Sequence, residues 1–224
     1  MIPSRPETLE LMRSYRMPHH IVLHSMMVRR VAVAIASSLE MSGLSIDLAA
    51  VDRASMLHDL CKMDSLRTGN DHALMAQEIL CDHGYPFIGD IVGQHVRLKS
   101  LIEVNEAMVV NYADKRVMHD RVVSLSKRFV DLMNRYGTDD ARQARILKHH
   151  QDSLRIQGAM EKCCRMDLEG LIVLNLIPCD QALYGRRGLL GQDGSVDEED
   201  EHEYLEGVDQ HEPALVDERD LSRS

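Results

Sequence analysis

Two histidines and two aspartates stand where the sequence otherwise predicts the apolar core of helices: His24, His58, Asp59 and Asp114. Helical spacing places Val28 and Val31 on the face of His24, and Val110 on the face of Asp114. An ionised carboxylate in an apolar interior costs free energy unless a positive group compensates it. Because three separate stretches each direct such groups inward, we predict that they bind a shared metal cation.

The donor types indicate which metals would suit such a site. Imidazole nitrogens and carboxylate oxygens favour Fe, Mn, Co, Ni or Zn, and helical bundles commonly build such sites from facing helices. His72 and His95, near the start of one predicted helix and the end of another, fit a second ion. One such residue alone is more often a hydrogen-bonded core residue, so the prediction depends on the set. We expect a cofactor of one or two divalent transition-metal ions.

Apolar residues with helical periodicity predict the elements that must position these side chains. The predicted helices cover residues 19–41, 45–62, 72–81, 88–96, 103–118, 121–136 and 138–167. Ser45 or Asp47 is expected near the cap of the second, and residues 66–71 are expected to form a loop in which Asn70 or Asp71 caps the third. No stretch alternates with period two for more than a few residues, so we expect an all-α fold without a sheet.

Charge divides the chain into a body and a tail. The formal net charge is −10, and residues 193–224 alone carry thirteen acidic side chains against two arginines, a balance of −11. The near-neutral remainder lacks the long basic face of a protein that binds duplex nucleic acid. We expect a metal-binding helical domain over residues 1–137, accessory helices over 138–190 that pack on or extend it, and a disordered acidic tail over 191–224.

Cysteine usage and hydropathy predict a cytoplasmic protein. The five cysteines are an odd number without framework spacing, which is typical of reduced thiols. Residues 1–14 contain no apolar run of the signal-peptide kind, and the longest apolar stretch, residues 171–178, is too short to span a bilayer. We therefore expect no membrane partner, and the oligomeric state stays open.

The ordered set His24, His58-Asp59, Asp114 resembles the HD superfamily of metal-dependent phosphohydrolases. The surrounding segments "HSMMVRRVAVAIA", "ASMLHDLCK" and "VNYADKRV" are similar to the ligand-bearing segments of that superfamily, and the resemblance covers residues 18–120. It implies an all-α helical bundle with the metal at its centre. "HALMAQEIL" and "IVGQHVRL" look like segments of the binuclear HDIG and HD-GYP-like groups, which implies that His72 and His95 bind a second metal bridged by Asp59.

This sequence also differs from the motifs of the superfamily at several positions. His95 is followed by Val96, where HD-GYP proteins have paired histidines, and residues 60–62 are Leu-Cys-Lys instead of Ile-Gly-Lys. Cyclic-di-GMP hydrolysis is therefore not supported. The resemblance implies cleavage of a phosphomonoester or phosphodiester, of a nucleotide, by a metal-activated hydroxide. It makes a small phosphorylated molecule the expected partner.

Cationic side chains close to the expected ligands are candidates for the phosphate. Lys62 follows His58 by one helical turn, and we expect it to act in catalysis together with Asp59. Arg97, Lys115 and Arg116, with Lys99, are further candidates for holding phosphate. Two other functions stay open: an HD-type di-iron oxygenase, which uses the same ligand pattern, and a non-catalytic module that binds metal or a nucleotide.

Replacing Asp59 tests the central idea. Asp59→Ala removes a ligand and a catalytic carboxylate, so we expect loss of both bound metal and turnover with helical content largely unchanged. Elemental analysis, a phosphate-release assay and circular dichroism measure the three quantities. A fully active Asp59→Ala protein would contradict the mechanism.

Overall fold

Residues 1–176, which the computed structural model describes, are built almost entirely from helices. In this part of the chain the helices are α1 (Arg5–Ser14), α2 (His19–Met41), α3 (Leu48–Leu57), α4 (Lys62–Thr68), α5 (His72–Asp82), α6 (Pro86–Gly93), α7 (Glu106–Lys115), α8 (Leu125–Tyr136), α9 (Asp140–Cys164) and α10 (Leu168–Leu176). The predicted all-α class is confirmed.

A short antiparallel hairpin lies between α7 and α8. Its strands are β1 (Val117–Met118) and β2 (Arg121–Val122), and Val117 pairs with Val122. The expectation of no sheet was wrong here, because strands of two residues are too short to show a period of two. His119, between the strands, has a positive φ of 57°.

Side-chain caps fix where the helices begin. Backbone N–H groups of the first turn donate to the N-cap side chains of five helices, namely Asp47, Asp71, Asn105, Ser124 and Asp139. Asp47 and Asp71 are caps that the sequence predicted. Helix α1 was missed, although Ser4 and Glu7 form a capping box whose pattern is visible in the sequence.

The chain turns where the sequence predicted one continuous helix over residues 45–62. Helix α3 ends at Leu57, residues 58–61 form a turn, and α4 then occupies part of the expected loop until Gly69, whose φ is 74°. Consecutive side chains on a helix diverge by roughly 100°. The turn lets His58 and Asp59 both point inward, and both are buried.

Helix α2 forms the centre of the fold. It packs against α3, α7, α9 and α10, and Val28, Val31 and Ile35 are fully buried. Among the described helices, α2 alone is long and apolar enough to cross a membrane, but most of that stretch is buried inside the protein, as in the core helix of a globular fold. The core therefore surrounds the helix that carries His24.

The C-terminal helices pack on the same core. Helix α9 contacts α2, α7 and α8, and α10 contacts α2 and α9. All described residues belong to one compact unit. The division into residues 1–137 and 138–190 stays a prediction. The acidic tail over residues 191–224 lies outside the described residues.

A glycine allows α5 and α6 to pack closely. A Cβ added at Gly89 would lie 2.9 Å from the backbone carbonyl oxygen of Gln77 and 3.3 Å from the sulfur of Cys81. A backbone carbonyl within a helix cannot move away cheaply, so the contact requires glycine. This packing positions the end of α6, which leads to His95.

We expect Gly89→Ala to destabilise the protein by about 1–3 kcal/mol, since overpacking outweighs the helix-propensity gain of alanine. Gly158→Ala, in α9, is the matched control: no heavy atom lies within 4 Å of its added Cβ. It should stabilise the protein by about 0.5–1 kcal/mol. Urea unfolding measures both, and equal stability of the two variants would contradict the packing argument.

Candidate metal centre

Six side chains with metal-binding atoms come together in the interior. They form two groups of three: the first half-site (His24, His58 and Asp114) and the second half-site (Asp59, His72 and His95). Within each half-site, one potential ligand atom per residue lies within 4.8 Å of the others. All six residues that the sequence predicted as ligands are therefore close together, and their role as ligands stays a prediction.

The six side chains come from five separate segments of the chain. His24 is in α2, His58 and Asp59 are in the turn after α3, His72 is the first residue of α5, His95 lies two residues beyond the end of α6, and Asp114 is near the end of α7. His95 is thus outside its helix rather than in the last turn of it. Tertiary packing, not local sequence, brings these groups together.

The distances define the two half-sites. In the first, Asp114 Oδ1 lies 3.2 Å from His24 Nε2 and 3.7 Å from His58 Nε2. In the second, Asp59 Oδ1 lies 3.3 Å from His72 Nε2 and 3.6 Å from His95 Nε2. The other carboxylate oxygen, Asp59 Oδ2, lies 3.7 Å from His58 Nε2. Asp59 therefore directs one oxygen toward each half-site.

Backbone carbonyls orient three of the four imidazoles. The Nδ1 atoms of His24, His58 and His95 lie 2.8, 2.8 and 2.7 Å from the carbonyl oxygens of His119, Ser55 and Val92, respectively. A carbonyl only accepts, so each Nδ1 carries the proton and donates it. In the neutral ring the Nε2 lone pair then points toward the centre of the cluster, as in histidine metal ligands.

Two buried atoms at the centre lack a hydrogen bond of normal geometry. They are His58 Nε2 and Asp59 Oδ1. An unpaired buried polar atom costs roughly 1–3 kcal/mol. A cation between these atoms would satisfy both. The residues present therefore fit a divalent metal.

The ionisation of the two carboxylates is also compatible with a bound divalent metal. Burial alone would raise the pKa of Asp59, but His58, His72, His95 and Lys62 together hold it well below its usual value. The pKa of Asp114 is likewise held well below normal, because Lys115 and the histidines outweigh the effect of burial. Both carboxylates are ionised at neutral pH and offer negative charge to a cation.

Two histidines of the cluster, His95 and His58, have pKa values shifted in opposite directions. Burial, together with the charges of His58 and His72, lowers the pKa of His95 to about 4 and outweighs the opposing effect of Asp59. His95 is therefore neutral, the state that a metal ligand needs. Burial also lowers the pKa of His58, but Asp59 and Asp114 outweigh it and raise that pKa overall. The two carboxylates therefore favour the protonated form of His58.

The lysine and arginine side chains that the sequence predicted to hold phosphate lie in different environments. Lys62 Nζ lies 3.5 Å from Asp59 Oδ1, and its side chain is 37% exposed, so it borders both the cluster and solvent. Arg97 is exposed, and exposed Lys99 pairs with Asp90. Lys115 is buried and donates to the His95 carbonyl oxygen at 2.6 Å and to Asp114 Oδ2 at 2.9 Å. It holds protein groups, which does not fit the predicted phosphate contact.

Arg116 also does not fit the predicted phosphate contact. It is only 2% exposed, and its guanidinium donates to the Val123 carbonyl, to the Tyr112 hydroxyl and to Glu169. Two residues along a helix turn the side-chain direction by roughly 200°. Arg116 thus leaves the face of Asp114 and stabilises the packing of α10 and the hairpin.

Two residues near the centre were missed in the sequence. Asn111 is buried and donates to the carbonyls of Gln94 and His95. Asn111 precedes Lys115 by one helical turn, so the sequence could have shown that the two side chains share a face of α7. His149, in α9, is half-buried; burial and the charges of Lys115 and Arg97 lower its pKa. Its place beside these cations depends on how α9 packs, which nothing in its own segment indicates.

A comparison of the sequence with known protein families finds a match over the segment that contains the cluster. Residues 21–136 match the family model of the HD domain, just over half of the chain, and this segment contains all six cluster residues. The protein belongs to the HD domain family, as the motifs indicated. Members of this family are mostly metal-dependent phosphohydrolases. No similar protein was found among the curated proteins, and none among the solved structures.

The low pKa of His95 predicts how the stability of the metal-free protein depends on pH. The unfolded chain protonates this side chain near pH 6.5, whereas the folded protein resists protonation until about pH 4. Stability should therefore fall as pH decreases from 6.5 toward 4, by up to about 1.4 kcal/mol per pH unit. The raised pKa of His58 gives stability that is fully present once the pH is well below 6.5, so His58 does not offset the loss toward pH 4.

Urea unfolding of chelator-treated protein between pH 7 and 4.5 measures this slope. His95→Gln removes the titrating group, so its slope should be smaller whatever its absolute stability. Identical slopes for the two proteins would show that His95 is not the cause.

Proposed function

We propose that this protein is a metal-dependent phosphohydrolase that cleaves a phosphomonoester or phosphodiester of a nucleotide with one or two divalent transition-metal ions. One observation carries the proposal: two buried atoms, His58 Nε2 and Asp59 Oδ1, lack hydrogen bonds at the centre of four imidazoles and two carboxylates. This donor set suits Fe, Mn, Co, Ni or Zn. The family membership supports the reaction class. The nucleotide is the substrate that the resemblance of the sequence motifs implies.

The charge of the site favours a phosphate substrate. With neutral imidazoles, Asp59 and Asp114 give the six side chains a charge of −2. Two divalent cations would convert this to a positive centre that complements a phosphate dianion. One cation would neutralise the carboxylates, leaving Lys62 to attract the phosphate. Both cases favour an anionic ligand over a neutral one.

The chemistry divides between the cofactor and the chain. A divalent ion supplies Lewis acidity, which lowers the pKa of water to near 7 and neutralises charge on phosphoryl oxygens. The backbone carbonyls that accept from His24, His58 and His95 hold the imidazoles in place. Asp59 stays ionised, so it can accept a proton from the nucleophile but cannot donate one to the leaving group.

Lys62 is the cation proposed to contact the phosphate. Its ammonium group is next to Asp59 and is partly exposed, so it can reach a ligand without leaving the site. Positive charge placed where negative charge develops in the transition state lowers the barrier. The buried Lys115 and Arg116 lack this freedom.

A phosphate-release screen tests the function. Metal-free protein is assayed with nucleoside monophosphates, cyclic nucleotides and dinucleoside polyphosphates, with Mn²⁺, Co²⁺, Ni²⁺ or Fe²⁺ added singly. We expect release that needs metal, persists without oxygen and is lost in Asp59→Ala. Turnover that stops under anaerobic conditions would instead support the di-iron oxygenase. Metal binding without turnover would support the non-catalytic module.

Replacing Lys62 separates catalysis from metal binding. Lys62→Met should lower kcat/KM by about 10- to 100-fold, because one charge-assisted contact to the transition state is worth about 1.5–3 kcal/mol. Metal content should be unchanged. Lys127→Met, at an exposed position in α8, is the matched control and should keep full activity. Equal activity of both variants would remove Lys62 from the mechanism.

We also propose a cytoplasmic location. Cys61, Cys81, Cys163 and Cys164 are free thiols among the described residues, which supports a reducing compartment.

A further inference from the structure

His95 lies just beyond the end of its own helix, which holds it only through Val92. Helix α6 has only eight residues and ends at Gly93. Beyond it, the backbone N–H groups of Gln94 and His95 make only local turn bonds, to Ile91 and Val92. His24, in contrast, lies within the 23-residue helix α2. From its own helix, His95 is therefore held only by the last turn, through the Val92 carbonyl oxygen, so contacts from other elements bear directly on the position of the second half-site.

Helix α7 supplies that support from two successive turns. The Asn111 side-chain amide donates to the carbonyl oxygens of Gln94 at 3.1 Å and of His95 at 2.8 Å. Lys115 Nζ donates to the same His95 oxygen at 2.6 Å. The carbonyls beyond a helix C-terminus are acceptors without partners in the helix, and a buried cation interacts favourably with them. Asn111 and Lys115 are 4% and 8% exposed, so solvent screens these contacts little.

Lys115 also contacts the first half-site. Its ammonium group lies 2.9 Å from Asp114 Oδ2, while Asp114 Oδ1 faces His24 and His58. One side chain thus joins an expected ligand of the first half-site to the backbone of an expected ligand of the second.

We propose that Asn111 and Lys115 are positioning residues that couple the two half-sites, with Lys115 setting the distance between His95 and Asp114. This inference rests on the proposed metal function and deepens it. It assigns to Lys115 a role in the occupancy of the second half-site in place of a contact to the substrate.

Charge alone predicts the opposite effect of Lys115. A lysine ammonium close to the centre repels a divalent cation, so its removal should strengthen metal binding if repulsion dominates. If Lys115 positions His95, its removal should weaken binding at the second half-site. Loss of a residue that orients a metal ligand typically lowers metal affinity by about 10- to 100-fold. The sign of the change therefore separates the two roles.

The test titrates metal-free, full-length protein with Mn²⁺ alone. Calorimetry counts the ions and their affinities, and electron paramagnetic resonance distinguishes a coupled ion pair from single ions. We expect two ions in the unaltered protein. In Lys115→Met, the second should bind at least about tenfold more weakly, with loss of the coupled signal and retention of the first ion.

Asn111→Leu provides a second, uncharged variant. It removes the two contacts to the Gln94 and His95 carbonyls without altering charge. Like Lys115→Met, it should therefore weaken the binding of the second ion. Arg116→Met is the matched control: it breaks a buried network on another face of α7 and should lower Tm while both ions bind normally.

Several results would overturn the proposal: unchanged or tighter Mn²⁺ binding in Lys115→Met and Asn111→Leu, weakening of equal size in Arg116→Met, or a single ion in the unaltered protein. Because no substrate is present, the outcome is separate from the proposed hydrolysis. Normal coupling with no phosphate release would refute the reaction and leave the role of Asn111 and Lys115 standing.

Discussion

The structure depends on two ionised carboxylates held inside the protein. Asp59 is buried and the Asp114 side chain is only 13% exposed, and both keep a pKa well below normal because positive or hydrogen-bonding groups surround them. Without compensation, such charges would cost several kcal/mol each. The helices α2 and α5, the turn at residues 58–61 and the segment after α6 place four imidazoles beside these carboxylates. A divalent cation would complete this balance, and the six side chains could hold one.

Rigid backbone surrounds the cluster. The carbonyl oxygens of Ser55, Val92 and His119 each accept a hydrogen bond from an imidazole N–H and set the orientation of that ring. His119 does so from a positive φ of 57°, which costs a non-glycine residue roughly 1–2 kcal/mol. The short hairpin therefore stabilises the orientation of His24 at some local expense. This pattern is expected where the ligand geometry must be accurate before the metal arrives.

Three basic side chains that are close in sequence to the expected metal ligands have different roles in the structure. Lys62 borders the cluster and solvent, Lys115 is buried between the half-sites, and Arg116 stabilises contacts on another face of the same helix. All three looked alike as positive residues next to expected ligands. Only the first has the freedom to meet a substrate. Proximity along the chain thus identified the neighbourhood of the site but not the role of each charge.

The sequence by itself determined the helical class, most of the helices, the Asp47 and Asp71 caps and the six side chains that come together, because periodicity, capping and buried charge are local or pairwise properties. It missed the break after Leu57, the hairpin and the end of α6 before His95. Tertiary structure decided these points, together with the inward turn of Asp59 and the burial of Lys115. Each depends on which distant backbone groups satisfy a donor or a charge, and no single segment contains that information.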